Sequence, residues 1–281
     1  MEAGTDFTQA YDRLAAEFPI PRYIDESLRY QMQFVVNFIR EYVPEFEGRR
    51  LLDIGSGPMN KTAIFQFLGF SCSAADDLSD PWHQRDDNVK KIKAFANTTG
   101  INFFQQQSDN YAIPFAPNSF DIVCSHAVIE HLHESPRGLL NTMGTFAKDD
   151  GLILVGMPNS VNLRKRLSVL MGKSNHVPID QFYHSTGVWR GHVREYTLSE
   201  TAYICGEAGF EVLSSRTCED LAQTKLKPPL RNLYVLAGKL IPTLRSSLLV
   251  LCRKPKNWTP REANDALFRS AIKRSIPDGI A

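Results

Sequence analysis

Two groups of residues in this sequence carry enough chemistry to define a site. The first is the run Leu51-Leu-Asp-Ile-Gly-Ser-Gly-Pro-Met-Asn60, followed by Asp76 and Asp77. An apolar stretch passes through Asp53 into Gly55, Ser56 and Gly57, then into a helical segment. Glycines there let the backbone approach a ligand closely, and a helix start favours an anionic group. An acidic residue about 20 positions later can accept hydrogen bonds from both hydroxyls of a ribose. The full dinucleotide fingerprint G-x-G-x-x-G fails, because Asn60 stands where its third glycine belongs. The second group is histidine: His126, His131 and His133 lie close together with Glu130 and Glu134, and His192 comes later. Histidine suits proton abstraction from an oxygen nucleophile near neutral pH. The cluster lacks the H-E-x-x-H spacing of a zinc site and shows no distant ligand, so no metal is expected.

These groups need elements to position them. Five short apolar runs, Arg50–Ile54, 71–75, 101–104, 120–124 and 151–155, are separated by helical stretches. That alternation is the pattern of βαβ units building a parallel sheet. Two further strand-like runs, 210–214 and 246–252, bring the count to seven. The expected fold is α/β: a Rossmann-like, seven-stranded, mostly parallel sheet with helices on both faces. Residues 1–48 read as a helical cap, with Leu28, Met32, Val35, Val36, Phe38 and Ile39 at helical spacing. A catalytic domain is expected over 49–256, with insertions at 157–190 and 222–245, and a polar tail over 257–281.

Composition narrows the class. The chain has 281 residues, 32 Lys and Arg against 31 Asp and Glu, and a net charge of +1. So even a balance argues against a nucleic-acid partner, and 43% hydrophobic content excludes a largely disordered chain. The five cysteines are scattered, with no C-x-x-C pair, and read as reduced core residues. No signal-peptide pattern and no apolar run near ~18 residues is visible, so a cytoplasmic protein is expected.

Taken in order, the motifs resemble the class I S-adenosylmethionine-dependent methyltransferases. Leu-Asp-Ile-Gly-Ser-Gly-Pro resembles that family's first motif, and Asp76 falls where it places a ribose-binding carboxylate. The stretch from Ser108 to Asp121 resembles its segment for the adenine, which implies that Asp109 accepts from the amino group and Asn110 lends its backbone. The string Val128-Ile-Glu-His-Leu132 is similar to the subgroup of ubiquinone-biosynthesis and sugar methyltransferases, as is the later Gly191-His-Val-Arg-Glu-Tyr-Thr. The resemblance covers about 45 to 255 and implies S-adenosylmethionine as cofactor. It also implies Asp53, Gly55, Ser56, Gly57, Asp76, Asp77, Asp109, Asn110 and His126 around that cofactor. Backbone N–H groups of Gly55 to Gly57 would meet its carboxylate and Asp53 its ammonium. His131 or His192 would be the general base.

The insertions are where an acceptor would be chosen. Residues 160–173 read as a basic, amphipathic helix whose Arg164, Lys165 and Arg166 suit a phosphate or a membrane surface. Tyr183, Trp189 and Arg194 complete a candidate substrate lid, and aromatics with polar handles suit a sugar face. The expectation is O-methylation of a glycan or sugar-containing acceptor, with a small-molecule or natural-product acceptor as the alternative. A nicotinamide-dependent oxidoreductase and a non-catalytic cofactor-binding module are the readings outside that class. Peripheral membrane contact through 160–173 is expected, and oligomeric state is not legible.

Overall fold

The computed structural model describes residues 6–81, 83–106, 112–219 and 226–275. Its centre is one seven-stranded sheet in the order β3-β2-β1-β4-β5-β7-β6. The strands are β1 (Arg50–Ile54), β2 (Ser71–Asp76), β3 (Asn102–Gln105), β4 (Phe120–His126), β5 (Ala147–Pro158), β6 (Glu211–Cys218) and β7 (Ser247–Arg253). Strands β1 to β5 run parallel, and β7 runs antiparallel to both of its neighbours. The strand order reverses between β1 and β4. In open α/β sheets ligands bind outside the carboxyl ends of the strands at such a reversal. The glycine loop leaves β1 there, and the histidine cluster follows β4 there.

Helices cover both faces, as the alternation of runs requires. Strand β1 sends Leu51 into one core and Leu52 and Ile54 into the other, the two-residue period of a doubly covered strand. On the first face lie α1 (Phe7–Glu17), α2 (Glu26–Arg40), α3 (Asn60–Phe67) and α4 (Asn88–Thr99); on the second lie α5 (Arg137–Phe146) and α8 (Leu198–Glu207). Between β5 and α8 come the short α6 (Leu163–Leu170) and α7 (Ile179–Tyr183). Helix α9 (Leu230–Leu240) precedes β7, and α10 (Asp265–Ser275) closes the described chain.

The six apolar residues picked out near the N-terminus are all buried on α2. That helix starts where Asp25 Oδ1 accepts the Leu28 N–H at 2.8 Å. The cap therefore packs into the same core as β1 rather than sitting apart from it. All five cysteines are buried. Among the described residues no helix is long and apolar enough to cross a membrane.

Two expectations about the later chain need correcting. The first insertion starts inside β5, because β5 pairs with β7 as far as Pro158 opposite Ser247. The tail is more than a polar extension. The Trp258 ring stacks on Phe210 at 5.7 Å, and its Nε1 donates to the Ala208 carbonyl at 2.7 Å. Gly144 makes room for it, since a Cβ there would come within 2.4 Å of the indole.

Candidate functional site

The glycine loop is shaped by close approach. Gly55 sits at φ +74°, and a Cβ on it would meet Val128 Cγ2 at 2.3 Å. Only glycine fits that backbone without strain. The loop then folds back on β2: the Gly55 and Ser56 N–H groups donate to the Ala75 carbonyl at 2.8 and 3.3 Å. The Gly57 N–H donates to Asp76 Oδ2 and the Leu78 N–H to Oδ1, each at 2.7 Å. The expectation that these three amides await an anionic ligand is thus corrected, because each is engaged within the chain.

Asp76 keeps acceptor capacity nonetheless. A carboxylate has about four lone-pair sites, and two amide donors leave room for others. Burial pushes its carboxyl up, against the pull of the two amides. Asp77 turns elsewhere: it caps Ser79 through N–H and Oγ at 2.8 and 2.7 Å, and Arg190 lies 3.6 Å from it. Asp53 is 2% exposed and accepts from Thr62 Oγ1 at 2.6 Å, with its carboxyl raised by burial. Asp109 and Asn110 lie outside the described residues.

Several buried polar atoms around the carboxyl ends of β1 and β4 have no hydrogen-bond partner among the described residues. They include Ser56 Oγ, Ser125 Oγ and both ring nitrogens of His126. Burial, then Lys61, holds His126 down to about 3, so it is neutral at physiological pH. Buried polar groups are nearly always satisfied. A cluster without partners at the reversal of the sheet fits a polar ligand seated against it.

The histidines form a connected group. His131 Nδ1 lies 2.8 Å from the Arg190 carbonyl, and His133 Nε2 lies 2.8 Å from that of Trp189. The His131 ring stands edge-on to His192 with centroids 4.8 Å apart. His192 Nδ1 lies 2.7 Å from Glu195 Oε1, and Lys165 pairs with the other oxygen of Glu195. Burial, His131 and Lys165 together bring His192 down to about 4. Neutral His192 therefore donates from Nδ1 to Glu195 and presents Nε2 as an acceptor.

Glu130 is fully buried rather than solvated, because the 3-10 turn Ile129–His131 points it inward. Both its oxygens lack partners, and burial pushes it up to about 7. The distant partner that was not evident in the sequence is His192: ligand-type atoms of Glu130, His131 and His192 all lie within 4.8 Å.

A cavity of about 230 Å³ opens beside this group, lined in part by Gln31, Lys61, His126, Arg164, Lys165 and His192. The lid residues divide around it. Arg164 and Lys165 both line it, Lys165 buried against Glu195, whereas Arg166 turns to Val161 and Thr243. The three cations were expected to meet one ligand together, but Arg166 turns away from the cavity that the other two line. Tyr183 is 78% exposed and does not line the cavity. Trp189 stands behind it, with Nε1 donating to the His192 carbonyl at 3.2 Å. Arg194 pairs with Glu200 at 3.1 Å and lies over Tyr196, away from the cavity.

Sequence reasoning missed Lys61 and Glu195, and it read Lys165 only as one of three exposed cations. Glu195 follows His192 by three residues, a spacing that could have flagged it. Lys165 lies between two arginines and gave no sign that it alone turns inward.

The comparisons agree with this geometry. The family described as a methyltransferase domain matches residues 24–215. None of the curated proteins matches the chain. Among solved structures, the complex of the Haloferax volcanii Trm112 methyltransferase activator with a proposed methyltransferase is similar at 16% identity and TM-score 0.53. That match covers 91% of this chain and 100% of the other. A SAM-dependent methyltransferase from Archaeoglobus fulgidus is similar at 19% identity and TM-score 0.50, covering 79% and 94% of the two chains. These likenesses show the fold, and the family match spans most of the chain. It belongs to the methyltransferase domain family and is a class I S-adenosylmethionine-dependent methyltransferase.

Proposed function

We propose that this enzyme methylates a hydroxyl of a glycan or other sugar-containing acceptor, with His192 as the general base. The observation that carries this reading is the neutral His192 on Glu195, facing a cavity rimmed with polar side chains. S-adenosylmethionine supplies a methyl group on a sulfonium. Asp76 would accept from the ribose hydroxyls, Asp109 from the adenine amine beside the Asn110 backbone, and Asp53 would draw the ammonium. With the loop amides engaged, Ser56 Oγ and Lys61 are the donors left for the carboxylate. His126, neutral and buried, would complete the wall of the same site.

The chain's own work is positioning and proton transfer. Arg164 offers donors along the rim, suited to an acceptor rich in hydroxyl oxygens. His192 Nε2 would take the hydroxyl proton as the oxygen bonds to the methyl carbon and the carbon–sulfur bond breaks, leaving its electron pair on a neutral thioether, while Glu195 holds the imidazole and stabilises the cation formed. His131, held by the Arg190 carbonyl, keeps the His192 ring in place edge-on. Of the two candidate bases, His192 is the one favoured in this reading, because it lines the cavity and His131 does not.

The test is transfer of a radiolabelled methyl group to a glycolipid and polysaccharide extract. The wild type should label a product that releases its label as an O-methyl sugar on acid hydrolysis. Label found only in small aromatic or amine products would overturn the acceptor class.

A further inference from the structure

We propose that the two insertions form a docking surface for an anionic lipid bilayer. The exposed leucines of this surface lie outside the lining of the cavity, and the inference does not rest on the choice of acceptor. Helix α9 carries Leu230, Leu233, Leu236 and Leu240 along one side, each more than half exposed at 57, 64, 53 and 75%. Their steps of three and four residues place them on one helical face. Helix α6 adds Leu167, Leu170 and Met171 at 47, 81 and 64%. The two helices are tied together where Arg166 Nη2 donates to Thr243 Oγ1 at 3.0 Å, just past the end of α9. Exposed apolar area of this extent on a soluble fold marks an interaction surface.

The charge around it identifies the partner. In a chain with a net charge of +1, no Asp or Glu occurs from Gly151 to Ile179 or from Leu226 to Arg245. The same two segments carry Arg164, Lys165, Arg166, Lys173, Lys227, Arg231, Lys239 and Arg245. Lys173, Lys227 and Lys239 are exposed beside the apolar rows. Leucines that insert and lysines that stay at the surface are the two halves of interfacial lipid binding, and each such cation adds attraction to anionic headgroups. A second copy of the chain fits poorly. A two-fold interface would press this patch against itself and bring cation against cation with no acidic residue to pair.

The experiment is co-sedimentation of the full chain with sucrose-loaded vesicles. Wild type should pellet with phosphatidylcholine mixed with phosphatidylglycerol, release in high salt, and stay in solution with phosphatidylcholine alone. The Leu233→Ser, Leu236→Ser double variant and the Lys227→Gln, Lys239→Gln double variant should each bind the mixed vesicles at least about tenfold more weakly. Their circular dichroism and S-adenosylhomocysteine affinity should match wild type, which separates lost docking from lost folding. Failure of wild type to bind the mixed vesicles, or binding by both variants at wild-type strength, would overturn the proposal. So would a dimer in sedimentation velocity that the leucine variant abolishes, which would assign the face to a second copy.

Discussion

His192 and Glu130 show how burial sets two titratable groups in opposite directions within one site. His192 is held down to about 4, so its unprotonated form prevails across the physiological range. Replacing it with alanine should lower kcat by at least about a hundredfold while leaving S-adenosylhomocysteine affinity unchanged in calorimetry. A variant with wild-type turnover would shift the base to His131 or elsewhere. Glu130 is raised to about 7 against an ordinary 4.5, so the folded state favours its protonated form. Its contribution is present at acid pH and is lost as pH rises through the interval between those values. The Glu130→Gln variant, which cannot ionise, should therefore gain relative to wild type between pH 5 and pH 8, by about 2.5 kcal/mol. Chemical denaturation at the two pH values checks this, and a pH-independent difference would contradict the burial argument. At this scale the sequence showed which residue types matter but not their surroundings. His192 is legible as a histidine in a late motif; that it meets His131, 61 positions earlier, follows only from the fold.

Elements account for most of what was legible. The strand, glycine and helix order around Asp53 to Lys61 survives because turn chemistry is local: Gly55 must take φ +74° against Val128 whatever else the chain does. Gly55→Ala should therefore cost about 1–3 kcal/mol of stability and weaken S-adenosylhomocysteine binding, read by thermal shift with and without ligand. An unchanged ligand-induced shift would show that the loop does not shape the site. The N-terminal helix α2 was equally legible, because its apolar period alone fixes which face is buried. What was not legible depended on distant partners. A basic run predicts an exposed face, yet Lys165 is buried because Glu195 from another segment meets it. Trp258 in a polar tail gave no hint of the notch at Gly144 that receives it.

At the scale of the molecule, one sheet brings the glycine loop and the histidine cluster to its carboxyl ends, and the first insertion adds Arg164 and Lys165 beside them. The cavity draws on α2, β4, β5, α6 and the segment before β7, so its lining comes from pieces far apart in sequence. The balanced net charge hides this division, since the cations of the insertions are offset by acids elsewhere. The fold class was readable because seven runs in order admit few topologies. The cavity was not, because its wall is assembled from elements far apart in sequence whose mutual placement no local pattern encodes. The claim on which the rest depends is that Asp76, at the reversal of the sheet, holds the ribose of S-adenosylmethionine. Isothermal titration with S-adenosylhomocysteine tests it most directly. One molecule should bind per chain, NAD should not compete, and Asp76→Ala should weaken binding at least about tenfold. Wild-type affinity in the Asp76→Ala variant, or displacement by NAD, would contradict it.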